Sequence, residues 1–261
     1  MAEPPALWRD LRRFTTARVA LGRVGNGLPT DAHLAFQAAH AAARDAVHTE
    51  LDLDLFAAAL GFAPRVARSA CQDRRSYLLR PDLGRMLPAS ERAALAAAPA
   101  PGKIAFVVCD GLSATAVQRH AASLLAHLRP GLGNGPVIVV RQGRVAIGDA
   151  IGEALGASAV AVLIGERPGL SSPDSLGLYL TWAPRIGRTD AERNCISNIR
   201  AEGLAVAAAA DKALWLMREM RRLGLSGVAL KDEQPETALE NAPVQGISTS
   251  VVATNPSRVP N

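Results

Sequence analysis

Two patterns of apolar and polar positions divide the chain. Over residues 29–48, PTDAHLAFQAAHAAARDAVH places His33, Gln37, His40, Arg44 and His48 on one stripe at helical spacing, with Leu34, Ala38, Ala41 and Ala42 on the opposing side. Pro29 followed by Thr30 and Asp31 is a helix start signal. From about residue 102 that period gives way to short runs rich in valine and isoleucine: KIAFVVCDG, PVIVVRQG, SAVAVLIGE and SLGLYLTWAP. The first three contain hardly a polar residue, which predicts strands buried on both faces, as in a parallel sheet. Helical stretches fall between and after them, at about 113–128, 146–156 and 204–223. Such alternation predicts an α/β fold with a doubly wound, mostly parallel sheet, preceded by an N-terminal helical domain. The expected divisions are residues 1–100, 101–230 and a flexible tail over 231–261, which is polar and rich in Pro, Ser, Thr and Asn.

The helical stripe is a poor metal site, because the i+4 positions of His33 and His40 are Gln37 and Arg44. A solvated or partner-facing stripe is expected instead. Two segments read as loops. RRFTTARVALGRVGNGLP has its glycines in the wrong order and context for a phosphate cradle, so a structured connection or docking surface is expected. RRSYLLRPDLGR (74–85) is interrupted by Pro81 and Gly84 and is also expected to be a loop.

Hydrophobic residues make up 49% of the 261-residue chain, enough for a substantial core, and a charged fraction of 20% argues against global disorder. The formal net charge is +5. No basic block is interleaved with aromatics, so an anionic ligand or acidic partner surface accounts for the excess better than nucleic acid does. Cys71, Cys109 and Cys195 are odd in number and far apart, which points to reduced thiols in a cytoplasmic protein rather than a disulfide frame or structural zinc. No secretory signal and no stretch of membrane-spanning length is read from the sequence.

Ligands of open α/β sheets bind at the carboxyl ends of the strands. That rule selects Asp110 after the first run, residues 141–145 after the second, Glu166 after the third and residues 194–198 after the fourth. Each also has a plain structural reading: Asp110 as a helix cap, Val145 as a staple on the next helix, Glu166 in a strand-exit turn, Cys195 as a packed thiol. The P-loop, H-E-x-x-H and G-x-S-x-G motifs are absent, and no histidine follows His127. A Cys195 nucleophile would have only Arg193 nearby to activate it. A binding subunit fits better than a complete enzyme, with a cysteine-dependent enzyme and a basic nucleic-acid adaptor as the rival readings.

RRFTTARVALGRVGNGLPTDAHLAFQAAHAAARDAVH, RRSYLLRPDLGR, VLIGERPGL and RNCISNIR, in that order, resemble the small subunit of ethanolamine ammonia-lyase. The likeness runs from about Arg12 to Lys231. It implies an adenosylcobalamin-dependent lyase that converts ethanolamine to acetaldehyde and ammonia by a radical mechanism. A large subunit, a TIM barrel, holds ethanolamine and carries the chemistry, with six copies of each chain, often inside a bacterial microcompartment. It implies a Rossmann-like cobalamin-contacting domain in this chain, a docking role for residues 1–100, and cofactor contacts at Val145, Glu166 and Cys195. It assigns no catalytic residue and no metal ligand here. The D-x-H-x-x-G motif of many cobalamin modules has no counterpart, since DAHLAF lacks the glycine and lies in the helical region. The cofactor is therefore expected to keep its own base on cobalt.

Overall fold

A computed structural model describes residues 10–12, 14–15 and 17–233. Its frame is a six-stranded sheet built from β1 (Arg65–Arg68), β2 (Ile104–Cys109), β3 (Val137–Arg141), β4 (Ala159–Gly165), β5 (Leu176–Trp182) and β6 (Asn194–Ile199). The spatial order is β1-β3-β2-β4-β5-β6. β1, β3, β2 and β4 run parallel, β5 is antiparallel to β4, and β6 is antiparallel to β5. The class is mixed α/β with a mostly parallel sheet. The helices are α1 (Thr30–His48), α2 (Leu53–Leu60), α3 (Arg74–Leu79), α4 (Ala89–Ala96), α5 (Ala114–Ala116), α6 (Ala122–Leu132), α7 (Ile147–Leu155) and α8 (Val206–Leu223).

β2 and β4 are buried at every position because both faces of the sheet are covered. Alternation along each strand sorts their side chains. Phe106, Val108, Ala161 and Leu163 face a core shared with α2, α6 and α8, where Phe56, Leu124, Leu128, Ala213 and Met217 pack. Ala105, Val107, Cys109, Val160, Val162 and Ile164 face a second core with α4 and α7, containing Leu95, Ile147, Ile151 and Leu155. Local signals set the ends: Asp52 caps α2 by accepting from the amides of Asp54 and Leu55, and Gly156 closes α7 at φ 64°.

Four apolar runs were expected to be strands, and they are β2, β3, β4 and β5. The antiparallel direction of β5 departs from an all-parallel winding. β1 comes from within residues 1–100 and pairs with β3 over Arg65–Arg68, so the sheet draws one edge from the N-terminal region. Residues 194–198, expected to be a connection at the sheet mouth, form β6 on the other edge. Residues 74–85 are not an uninterrupted loop: α3 starts at a capping box in which Asp73 accepts from the Ser76 amide and the Ser76 hydroxyl accepts from the Asp73 amide. The helix expected over 113–128 runs on to Leu132 and contains a π-helical segment, Val117–Ala121. The expected tail lies outside the described residues beyond position 233.

α1 is the element least embedded in this chain. Of its nineteen residues only Ala46 is buried. The His33–His48 stripe is solvent-facing as expected, with Gln37 Nε2 and His33 Nε2 3.0 Å apart. The opposing side is exposed as well, Leu34 at 57%.

Candidate functional site

The ends of β3 and β4 frame an open cavity of about 230 Å³. Val145 and Glu166 both line it. Ile164 and Leu112 add apolar wall, Arg144 and Arg167 add charge, and Tyr77 and Tyr179 supply aromatic rings. Cys195 does not line this cavity. It is the cross-strand partner of Tyr179, and its side chain is exposed. The polar surroundings of Cys195 thus have a simple cause: on β6, Ile196 and Ile199 turn inward while Cys195 and Ser197 turn out. The three residues sit around one tyrosine, two inside the cavity and one beside it.

Glu166 is held firmly. Ser197 Oγ donates to Oε1 at 2.6 Å, Ser175 Oγ donates to Oε2 at 2.5 Å, and the Asn198 amide reaches Oε2 at 3.3 Å. Its carboxylate therefore joins the end of β4 to β6 rather than pairing with neighbouring Arg167. Asn198 adopts φ 60°, a left-handed turn that brings its amide round to the carboxylate. The Glu166 side chain crosses Gly177, where an added Cβ would stand 2.9 Å from Oε1 and 3.2 Å from Cγ. A carboxylate has about four acceptor positions. Three are used, so one remains for a ligand N–H.

The loop carrying Val145 is clamped by the segment that sequence alone assigned to a loop. Tyr77, buried on α3, donates its hydroxyl to the Gly143 carbonyl at 3.2 Å. The Arg144 guanidinium stacks over its ring at 4.1 Å, the Arg74 guanidinium lies 4.8 Å from the ring centre, and the Arg144 amide donates to the Gly84 carbonyl at 2.8 Å. Gly84 is tight for that reason, since a Cβ there would meet Arg144 Cγ at 2.7 Å. Val145 itself packs at the edge of the second core.

Asp110 is not the helix cap. Ser113 takes that role, accepting from the Ala116 amide. Asp110 is 7% exposed and accepts from the Gln142 amide at 2.7 Å, with the amides of Gly111 and Gly143 also directed to it. Burial pushes its carboxyl up to about 6, against the opposing pull of Arg74 and these amides. The folded state holds the proton more tightly than the unfolded chain, so the Asp110 contribution falls as pH rises from about 4 to about 6. Asp110→Asn is expected to abolish that decline, which amounts to about 2–3 kcal/mol. Urea unfolding of both forms at pH 4.5 and 7 measures it, and equal slopes against pH would refute it.

Arg193 has no role toward Cys195. Its guanidinium is bidentate to Asp149 at 2.6 and 2.7 Å, both side chains almost fully buried, with further bonds to Thr181 Oγ1 and the Arg188 carbonyl. Partial desolvation beside the sheet raises the Cys195 thiol, more than neighbouring Tyr179 lowers it. The cysteine-nucleophile reading therefore lacks its activating cation. Among the described residues no group of three or more His, Cys, Asp or Glu side chains could hold a metal ion, and no helix is long and apolar enough to cross a membrane.

Sequence reasoning missed Tyr77, Tyr179, Ser175 and Gly177, and reached Ser197 only as one position within residues 194–198. The Asp73–Ser76 capping signal could have disclosed α3 and hence Tyr77, and alternation in NCISNI could have disclosed β6 and hence Ser197. Gly177 carried no signal, because its role depends on β5 returning antiparallel beside β4.

The family model described as "Ethanolamine ammonia-lyase light chain (EutC)" matches residues 5–231. A protein of Ralstonia nicotianae named ethanolamine ammonia-lyase small subunit is 56% identical over 245 residues, covering 89% of this chain and 91% of its own. Small subunits so named from Pseudomonas syringae pv. tomato and Azotobacter vinelandii are 54% and 55% identical, over 92% and 90% of this chain and 88% and 92% of theirs.

Proposed function

The chain belongs to the ethanolamine ammonia-lyase light-chain family, and from that premise we propose that it forms one wall of an adenosylcobalamin site completed by the large subunit of the lyase. The observation that carries this reading is the cavity shared by Val145 and Glu166, with Tyr179 linking it to Cys195. At about 230 Å³ it is smaller than the ~300–1,000 Å³ that drug-sized ligands occupy. It can seat part of a corrinoid, and another chain must supply the rest. The wall chemistry suits the cofactor's periphery. Val145, Ile164 and the Tyr179 ring offer apolar surface, while Glu166 offers its spare acceptor position to an amide N–H. No histidine lines the cavity, so the chain presents no imidazole for cobalt there.

When bound, adenosylcobalamin supplies the cobalt–carbon bond whose homolysis starts the radical reaction. This chain binds and orients. Ser175, Ser197 and the Asn198 amide fix the Glu166 carboxylate, and Tyr77 with Arg144 fixes the Val145 loop, so both contacts are preorganised before the cofactor arrives. The thiol of Cys195 stays protonated and serves as surface, with no redox or ligating role. Ethanolamine is held by the large subunit, a TIM barrel, in an assembly of six copies of each chain. The sheet plays the part of a Rossmann-like cobalamin module, in the cytoplasm and within a microcompartment where one is built.

α1 is the docking element in this reading. Helices in folded proteins draw most of their stability from tertiary packing, yet α1 exposes Leu34 at 57% and Phe36 at 40%. A large-subunit surface covering it accounts for both. Co-expression with the large subunit, followed by cobalamin absorbance on the purified complex, tests the proposal. The complex is expected to retain the cofactor while neither chain alone does, and L34E with F36E is expected to reduce recovered complex at least tenfold. Full cofactor retention by the large subunit alone would contradict it.

A further inference from the structure

A second cavity, about 280 Å³, lies against the first half of α7. Its walls come from three separate stretches: residues 85–87 and Arg92 on α4, then Ala146, Asp149 and Ala150, then residues 186–188 of the β5–β6 connection. Leu87, Ala146 and Ala150 give it an apolar floor. Met86 and Ile186, 55% and 51% exposed, stand at its rim.

Its charge is one-sided. Asp149 is the single carboxylate in the wall, and Arg193 occupies both of its oxygens. Of the three arginines, Arg188 is already engaged: it pairs with Glu192 and donates to the carbonyls of Ala183 and Trp182. Arg85 and Arg92 make no ion pair and no side-chain hydrogen bond among the described residues. Two uncommitted guanidinium groups therefore border an apolar floor. Guanidinium forks match the oxygens of a phosphate dianion, and two of them balance its charge.

We propose that this cavity binds a phosphate monoester with a small apolar body, the phosphate held by Arg85 and Arg92 and the body seated on Leu87, Ala146 and Ala150. A bare anion would leave the floor wet, and a neutral apolar molecule would leave both cations unused. The volume limits the body to about the size of one ring. The cavity shares no lining residue with the one formed around Val145 and Glu166, so this site stands or falls independently of the cofactor reading.

Calorimetric titration of the chain purified with its large subunit, at constant ionic strength, tests the proposal with phenyl phosphate, inorganic phosphate and phenylacetate as probes. Phenyl phosphate is expected to bind saturably, one per light chain, and at least fivefold more tightly than either other probe. R85A combined with R92A is expected to weaken it at least tenfold while the melting temperature and cobalamin content stay unchanged, both residues being at the surface. Absence of saturable binding, equal affinity for phenyl phosphate and inorganic phosphate, equal affinity for phenylacetate, or binding indifferent to the double substitution would each overturn the assignment.

Discussion

Gly165→Ala is expected to destabilise the protein by at least about 4 kcal/mol, placing it in the exceptional tail of single substitutions. The reason is a close crossing of backbones at the carboxyl ends of β2 and β4. A Cβ on Gly165 would stand 2.0 Å from the Ser113 carbonyl oxygen, 2.6 Å from its carbon and 2.7 Å from the Asp110 oxygen. These are backbone atoms that no rotamer change can move. Gly111 meets the same crossing from the other side, where a Cβ would lie 2.3 Å from the Gly165 oxygen, and its φ of 60° adds strain for any other residue. The Leu112 amide already bonds that oxygen at 2.9 Å. A melting temperature roughly 8–16 °C lower is expected. Gly131→Ala serves as the contrast, because its Cβ would meet only the flexible end of Leu214. A shift below roughly 2 °C is expected there, and equal shifts in the two variants would contradict the steric account.

Asp149→Ala is expected to cost about 3–5 kcal/mol, the range for removing one partner of a buried ion pair. Arg193 would remain 2% exposed with two of its donors unpaired, in a site closed by Thr181 and the Arg188 carbonyl. The pair ties α7 to the start of β6, and through β6 to Ser197 on the Glu166 carboxylate. Loss of cofactor affinity should therefore accompany the loss of stability. Replacing both partners with apolar residues, D149L with R193M, is expected to recover most of the stability, because the larger cost lies in the stranded charge rather than in the absent attraction. Urea unfolding of the two singles and the double gives the coupling directly. Additive losses would show that the pair does not act as a unit.

The central strands were legible because burial on both faces leaves only apolar residues to choose from, and IAFVVC and AVAVLIG admit few other readings. The edges were not. β1 is Arg65-Val66-Ala67-Arg68 with only Ala67 buried, and it becomes a strand by pairing with β3 rather than by composition. β6 hides behind its outward polar residues, and the register shift between Leu176 and Leu178 blurs its alternation further. Val145 and Glu166 were reachable because strand ends mark where a ligand can enter. Their supports were not, since Tyr77 arrives from a segment broken by Pro81 and Gly84, and Gly177 matters only once β5 turns back beside β4. Asp110 shows where the capping rule fails: it precedes Gly111 and Ser113 as a cap would, while Ser113 caps the helix and the Asp110 carboxylate accepts from the Gln142 amide.

The most direct test is the dissociation constant of adenosylcobalamin from the assembled complex carrying E166A or V145D. At least tenfold weaker binding is expected for each, with the KM for ethanolamine unchanged at saturating cofactor. Cofactor affinity equal to that of the unaltered complex in both variants would place the corrinoid on some other surface of this chain or wholly on its partner.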